Sequence, residues 1–118
     1  GLQAFRTEIC IFHTGLRVAG QPDLLYRDSE GRLVIVDWKR VKEIRMCSAF
    51  RSLRHPLEHL PDTNGWLYAL QLNLYAYILE SEYGFTVRSM YLAQVHPSLA
   101  EECSESGAAS ARCRPVDL

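Results

Sequence analysis

The chain has 118 residues, 47% of them hydrophobic and 23% charged, which suits one globular domain with a modest core. A formal net charge of -1 excludes a uniformly basic nucleic-acid binder, and no apolar run is long enough to span a membrane. A secretory leader is not expected, and Cys10, Cys47, Cys103 and Cys113 show neither a Cys-x-x-Cys pair nor a zinc spacing. Reduced thiols and an intracellular protein are therefore expected, with a Cys103–Cys113 disulfide as the alternative.

Ala4 to His13 reads as a strand, with Phe5, Thr7, Ile9 and Ile11 on one face and Arg6, Glu8, Cys10 and Phe12 on the other. Cys10 is expected to be buried there. Thr14-Gly15 reads as a two-residue hairpin turn. That turn makes opposed residue numbers sum to about 29, so Glu8 faces Gln21. Val18 to Tyr26 and Leu33 to Lys39 read as the next two strands, joined by the turn formers Asp28-Ser29-Glu30-Gly31. Leu33-Val34-Ile35-Val36 is apolar and β-branched, as in a strand buried on both faces. With the turn centred near Ser29 and Glu30, opposed numbers sum to about 59 or 60. In the second register Asp23 faces Asp37 and Gln21 faces Lys39.

Side chains two apart on a strand share a face, so Asp23, Asp37 and Lys39 converge, with Glu8 on the same side. Facing carboxylates repel. A divalent cation removes that cost, and carboxylate oxygens suit the hard ions magnesium and manganese. The neighbouring ammonium is placed to serve an attacking water or a developing phosphorane charge. The pattern points to metal-dependent phosphodiester hydrolysis. The plain alternative is a strand-end aspartate and a surface lysine.

Pro22-Asp23 followed by Asp37-Trp38-Lys39 resembles the PD-(D/E)XK nuclease superfamily. Gly20-Gln21-Pro22-Asp23 and Asp37-Trp38-Lys39-Arg40 are most similar to its RecB-like and Cas4-like exonuclease branch. The resemblance implies that Asp23, Asp37 and the Trp38 backbone carbonyl hold Mg2+ or Mn2+. It further implies that Glu8 assists, through a water or a second metal, and that Lys39 acts in catalysis.

Lys39, Arg40, Lys42, Arg45, Arg51 and Arg54 form a local basic patch suited to a phosphate backbone, or else a solvated face. Val41 to Arg54 reads as a short helix or an irregular excursion, and His55 to Asp62 as a loop, by its two prolines. His55 and His59 flank Glu58, but those prolines argue against a zinc site. Thr63 or Asn64 is a good N-cap for a helix running to Tyr83 and closed by Gly84. Leu67, Leu70, Leu74 and Ile78 form an apolar stripe at helical spacing, extended by Leu72 and Leu79. Gln71 and Tyr75, four apart, share one helix face, with Tyr68 a turn earlier. They are similar to the Gln-x-x-x-Tyr motif of RecB-like nucleases, which implies a role in placing DNA. Their plain alternative is a bonded interior glutamine and a packing tyrosine. Phe85 to His96 reads as a last strand, ended by Pro97.

The expected fold is α/β, a restriction-endonuclease-like core with a mixed sheet and a long helix. The N-terminal helix of the resembled family has no counterpart, so the chain is expected to be a fragment or a trimmed variant. Residues 1–97 are expected to form the nuclease-like domain and 98–118 a flexible tail or linker. The expected function is Mg/Mn-dependent hydrolysis of DNA in repair, recombination or replication. Gln21, Arg40, Lys42, Gln71 and Tyr75 are the expected nucleic-acid contacts. The alternative is a catalytically silent nucleic-acid-binding module of a larger protein.

Overall fold

The computed structural model describes residues 1–48 and 50–98, together with the backbone of 111–115. In chain order the elements are β1 (Gln3–Thr7), β2 (Ile11–His13), β3 (Val18–Gly20), β4 (Leu24–Arg27), β5 (Leu33–Lys39), α1 (Asn64–Ser81), β6 (Val87–Val95) and β7 (Ala111–Pro115). A mixed sheet has the order β1-β4-β5-β6-β7, and β2 and β3 pair in a separate ribbon. Among the described strands only β5 and β6 run parallel, as strands joined through a crossover helix must. The fold is thus α/β, a mixed sheet with a long helix on one face. Leu25, Leu33, Ile35 and Leu92 face Ala69, Leu72, Ala76 and Leu79 in the core between them.

The β4–β5 hairpin has the register in which opposed numbers sum to 60: Leu24 pairs with Val36 and Leu25 with Ile35. The Asp28 N–H donates to the Arg32 carbonyl at 2.9 Å, and the Gly31 N–H to the Asp28 carbonyl at 3.1 Å. Gly31 takes a φ of 81°, which closes a three-residue loop with a bulge. The Asp28 carboxylate also accepts hydrogen bonds from the Glu30 and Arg32 N–H groups.

The first two expected strands each break in two. Glu8 has a φ of 47°, which ends β1, and Pro22 offers no N–H between β3 and β4. Both breaks fall at the same level. The Glu8 N–H donates to the Asp23 carbonyl at 2.9 Å, and the Gln21 side-chain amide donates to the Glu8 carbonyl at 2.8 Å. The long hairpin is therefore bent, and its tip folds over α1. Its turn has four residues, Thr14 to Arg17, rather than two, so Ile11 pairs with Gly20 and the register expected from Thr14-Gly15 does not hold. Cys10 lies in the break and is exposed rather than buried.

Helix α1 starts where expected and stops at Ser81, with Gly84 at a φ of 71° beyond it. Thr63 makes no side-chain cap bond. Asn64 instead ties down the connector, accepting from the Arg45 N–H at 2.8 Å and donating to the Glu43 carbonyl at 3.0 Å. The expected stripe is displaced, for Leu67 and Leu74 are exposed. Apolar residues surround this helix, so periodicity does not choose the inner face. The buried face carries Ala69, Leu72, Tyr75, Ala76, Ile78 and Leu79; Ala69 and Ala76 let the helix approach the sheet, and Gly65 lets the connector at Arg45 and Met46 pass close to its first turn. No helix forms in the described part of Val41 to Arg54. Within the segment read as a tail, Ala111–Pro115 instead forms a strand antiparallel to β6. Cys103 and the Cys113 side chain lie outside the described residues. No described helix is long and apolar enough to cross a membrane.

The ribbon is anchored to the end of α1 by Glu82. One carboxylate oxygen accepts from both the N–H and the hydroxyl of Thr14, each at 2.7 Å. His13 stacks on Tyr77 with centroids 5.5 Å apart. The Thr14 hydroxyl and amide hold the Glu82 carboxyl below its ordinary value of 4.5. A depressed carboxylate stabilises the fold above the unfolded value, and that contribution disappears as pH falls through the folded one. Urea unfolding should therefore show Glu82→Gln less stable than wild type at neutral pH, with the gap closing below about pH 4.5.

Candidate active site

Strand β5 outruns β4. The last β4 pair is Leu24 with Val36, so Asp37, Trp38 and Lys39 continue past it while β6 accompanies them through Gln94. A side chain completes the ladder on the open side, where Asp23 Oδ2 accepts the Trp38 N–H at 2.8 Å. An N–H and C=O of one extended residue point the same way, so the Trp38 carbonyl shares this side with Asp23.

Asp37 follows Ile35 on the core face and is only 3% exposed. Lys39 Nζ lies 2.7 Å from Asp37 Oδ2. That oxygen nevertheless receives no well-directed hydrogen bond from the described residues. Burial pushes the Asp37 carboxyl above its ordinary value; the Lys39 ammonium opposes the shift and the Asp23 carboxylate reinforces it. Lys39 is held from three sides, since Nζ also donates to Gln71 Oε1 at 3.0 Å and lies 4.5 Å from the Tyr68 ring centroid. Helix α1 therefore supplies two of the groups that aim the ammonium, one turn apart.

Tyr75 is buried beside the same cluster. Burial, then the Asp37 charge, raises its hydroxyl above the ordinary value, so it stays a neutral donor. Gly20 covers the ring: a Cβ at Gly20 would overlap Tyr75. The bent ribbon thus closes one wall of the site by direct contact with α1.

Other expected residues stand elsewhere. Glu8 is exposed and lines a notch of about 410 Å³ with Thr7, Asp23, Leu24 and Trp38. Its backbone, not its carboxylate, makes the contacts to Asp23 and Gln21. Gln21 was expected opposite Lys39; the bend turns its amide to the Glu8 carbonyl instead. Arg40 and Lys42 are exposed. His55 pairs with Glu58 at 3.0 Å on the connector.

Gln94 was not anticipated. It sits in register with Lys39, is 2% exposed, and donates to the carbonyls of Val41 at 3.2 Å and Lys42 at 2.8 Å. It fixes where the chain goes immediately after the site. The available signal was a lone amide in an apolar strand, between Ala93 and Val95.

Among the described residues no group of three or more His, Cys, Asp and Glu side chains gathers closely enough to hold a metal. What gathers is two carboxylates, one with a buried oxygen lacking a directed hydrogen bond, and a carbonyl on the same side. All are hard oxygen donors. Magnesium is commonly held by one or two carboxylates and keeps several waters, so this set fits it.

The sequence pattern described as the PD-(D/E)XK nuclease superfamily matches residues 1–112, nearly the whole chain. The chain belongs to that superfamily, which makes it a nuclease domain by family. No curated protein matches it.

Gly20→Ala should drive Tyr75 from its place and cost about 1–3 kcal/mol, the usual range for overpacking. Urea unfolding of Gly20→Ala, Tyr75→Ala and the double variant checks it. The double variant should be less destabilised than the sum of the two singles, because the overlap vanishes with the ring.

Proposed function

We propose that this domain is a magnesium- or manganese-dependent deoxyribonuclease of the RecB-like and Cas4-like exonuclease type, acting in DNA repair, recombination or replication. The observation that supports it best is the buried Asp37 carboxylate with Lys39 Nζ at 2.7 Å and Asp23 beside it. A core aspartate with an undirected oxygen contributes little to folding, whereas it suits an ion-binding role.

In this reading Asp23, Asp37 and the Trp38 carbonyl hold the cation. When bound, it supplies a water of lowered pKa and neutralises charge on the scissile phosphate. The protein's own groups do the rest. Lys39 presents a positive charge where the phosphorane develops negative charge, and Gln71 and Tyr68 keep its side chain from swinging into solvent. Tyr75 and Gln71 place the strand, and Tyr75 offers a donor that remains protonated. The apolar layer under Asp37 keeps bulk water from screening these charges. Arg40 and Lys42 meet backbone phosphates beyond the site. Glu8 assists from the rim of the notch.

Thermal melts of wild type, Asp37→Asn and Lys39→Ala, with and without millimolar magnesium, test this alongside cleavage of linear, circular and single-stranded DNA. The folded state binds the Asp37 proton more tightly than the unfolded chain, so ionising Asp37 costs stability as pH rises above the ordinary carboxylate range. Asp37→Asn in EDTA should therefore be at least as stable as wild type. Magnesium should raise the wild-type Tm, because a ligand of the folded state shifts unfolding. Asp37→Asn should lose most of that rise and nearly all cleavage. Lys39→Ala should lose cleavage and keep most of the rise, since an ammonium is no ligand. If magnesium moves no Tm and no DNA is cut, a silent nucleic-acid-binding module replaces this reading.

A further inference from the structure

The outward face of α1 is open to solvent along most of its length. Leu67, Leu70, Leu74 and Tyr77 follow one another there at alternating intervals of three and four, the spacing of a helix–helix seam. They lie on the side opposite Leu72, Ala76 and Leu79, which belong to the core. Leu70 is half-buried, and Leu67, Leu74 and Tyr77 are 49%, 38% and 53% exposed. Between Asp62 and Glu80 the sequence has no charged residue to relieve this row. Apolar surface gathered in one stripe marks an interaction site, whereas scattered exposure does not. The stripe runs about 15 Å from Leu67 to Tyr77, and the side of one other helix matches it.

The residues beside the stripe decide which helix. On one flank stand Trp66, Asn73 and Glu80, seven apart and so in line. The Trp66 indole N–H donates to the Met46 carbonyl at 2.8 Å, which ties the connector to this flank. Met46 is exposed, and so is Arg45 before it. Arg45 shares a surface pair with Glu43 at 3.2 Å, which exchanges at little cost. Glu80 is exposed at the far end, with one oxygen taken by the Val87 N–H at 3.3 Å. The flank is therefore basic where α1 begins and acidic where it ends. On the other flank Gln71 is engaged by Lys39 and Ile78 is fully buried, so neither selects a partner.

Such a surface is complementary to itself turned end for end. We propose that it is the contact between two copies of this chain, packed antiparallel along α1 about a two-fold axis. Leu67 then meets the partner's Tyr77, and Leu70 the partner's Leu74. Glu80 meets the partner's Arg45 and Met46, and Asn73 the partner's Asn73 near the axis. A parallel pair would set like ends together and lose this match of charge. The seam is short, so pairing depends on concentration and is not obligate. The proposal stands apart from the nuclease reading, since it uses no side chain assigned to that chemistry.

Sedimentation equilibrium over a wide range of protein concentration tests it, in reducing buffer so that the exposed Cys10 and Cys47 do not join chains. Wild type should pass from the mass of one chain to that of two. Leu74→Arg sets a charge in the middle of the seam and should weaken pairing about tenfold or more. Its Tm in dilute solution, where both proteins are single chains, should match that of wild type. Leu67→Ser repeats the test at a second exposed position and keeps it decisive if Leu74→Arg folds poorly. Glu80→Arg should also weaken the pair, and Arg45→Glu added to it should restore pairing. A wild type that stays single at every concentration overturns the proposal and leaves the stripe to a different protein or segment. Pairing that both stripe variants leave intact overturns it as well, because the contact then lies elsewhere. If Glu80→Arg pairs as tightly as wild type, the antiparallel arrangement is wrong and the proposal falls with it.

Discussion

The arrangement depends on keeping a carboxylate, Asp37, inside the core face of the central strand. An ionised group in that position is tolerated only if charge and hydrogen-bond donors are brought to it. Lys39, two residues on, brings the charge, but a lysine is a long and mobile partner. Helix α1 removes that mobility through Gln71 and Tyr68, and Ala69 and Ala76 bring the helix close enough to do so. The small residues on the inner face of α1 and the polar ones at its mid-length thus answer one requirement.

The bent hairpin answers a second. A straight pair of strands would leave Tyr75 and the C-terminal half of α1 open to water. Breaking both strands at one level, at Glu8 and at Gln21-Pro22-Asp23, lets the tip fold over the helix and leaves Asp23 outside the ladder. Freed from strand pairing, Asp23 turns its carboxylate to the Trp38 amide. The Pro-Asp pair therefore has a structural logic: the proline ends the pairing that would hold the aspartate flat, and the aspartate caps the strand that carries Asp37 and Lys39.

Much of this was legible where the cause is local. The β4–β5 register follows from a short loop with Gly31 at its end, and the start of α1 from Thr63-Asn64. The spacing of Gln71 and Tyr75 already put them on one helix face. The bend was not legible, because alternation runs on unbroken through Glu8 and Cys10 and gives no hint that Glu8 adopts a positive φ. The four-residue tip was missed because Thr14-Gly15 satisfies a shorter turn equally well. The inner face of α1 was not legible because leucines lie on every side, so that the apolar pattern alone does not single out the face that carries Ala69, Leu72, Ala76 and Leu79. Gln94 was passed over because its worth comes from the connector carbonyls it meets, which no strand pattern encodes.

The sheet order also sets a sequence of assembly. Asp23 and Asp37 belong to one hairpin closed by a loop of three residues, so they meet through short-range contacts. Lys39 and Gln71 are 32 positions apart, and β6 joins β5 only after the whole crossover has been ordered. Closing the longer segment loses more chain entropy and is the slower event. The two carboxylates are therefore brought near each other before the helix that steadies their counter-charge has docked. The barrier to folding then carries an electrostatic contribution that the Lys39 ammonium only partly offsets in the finished structure, so ionic strength bears on the rate of folding as well as on the stability of its end state.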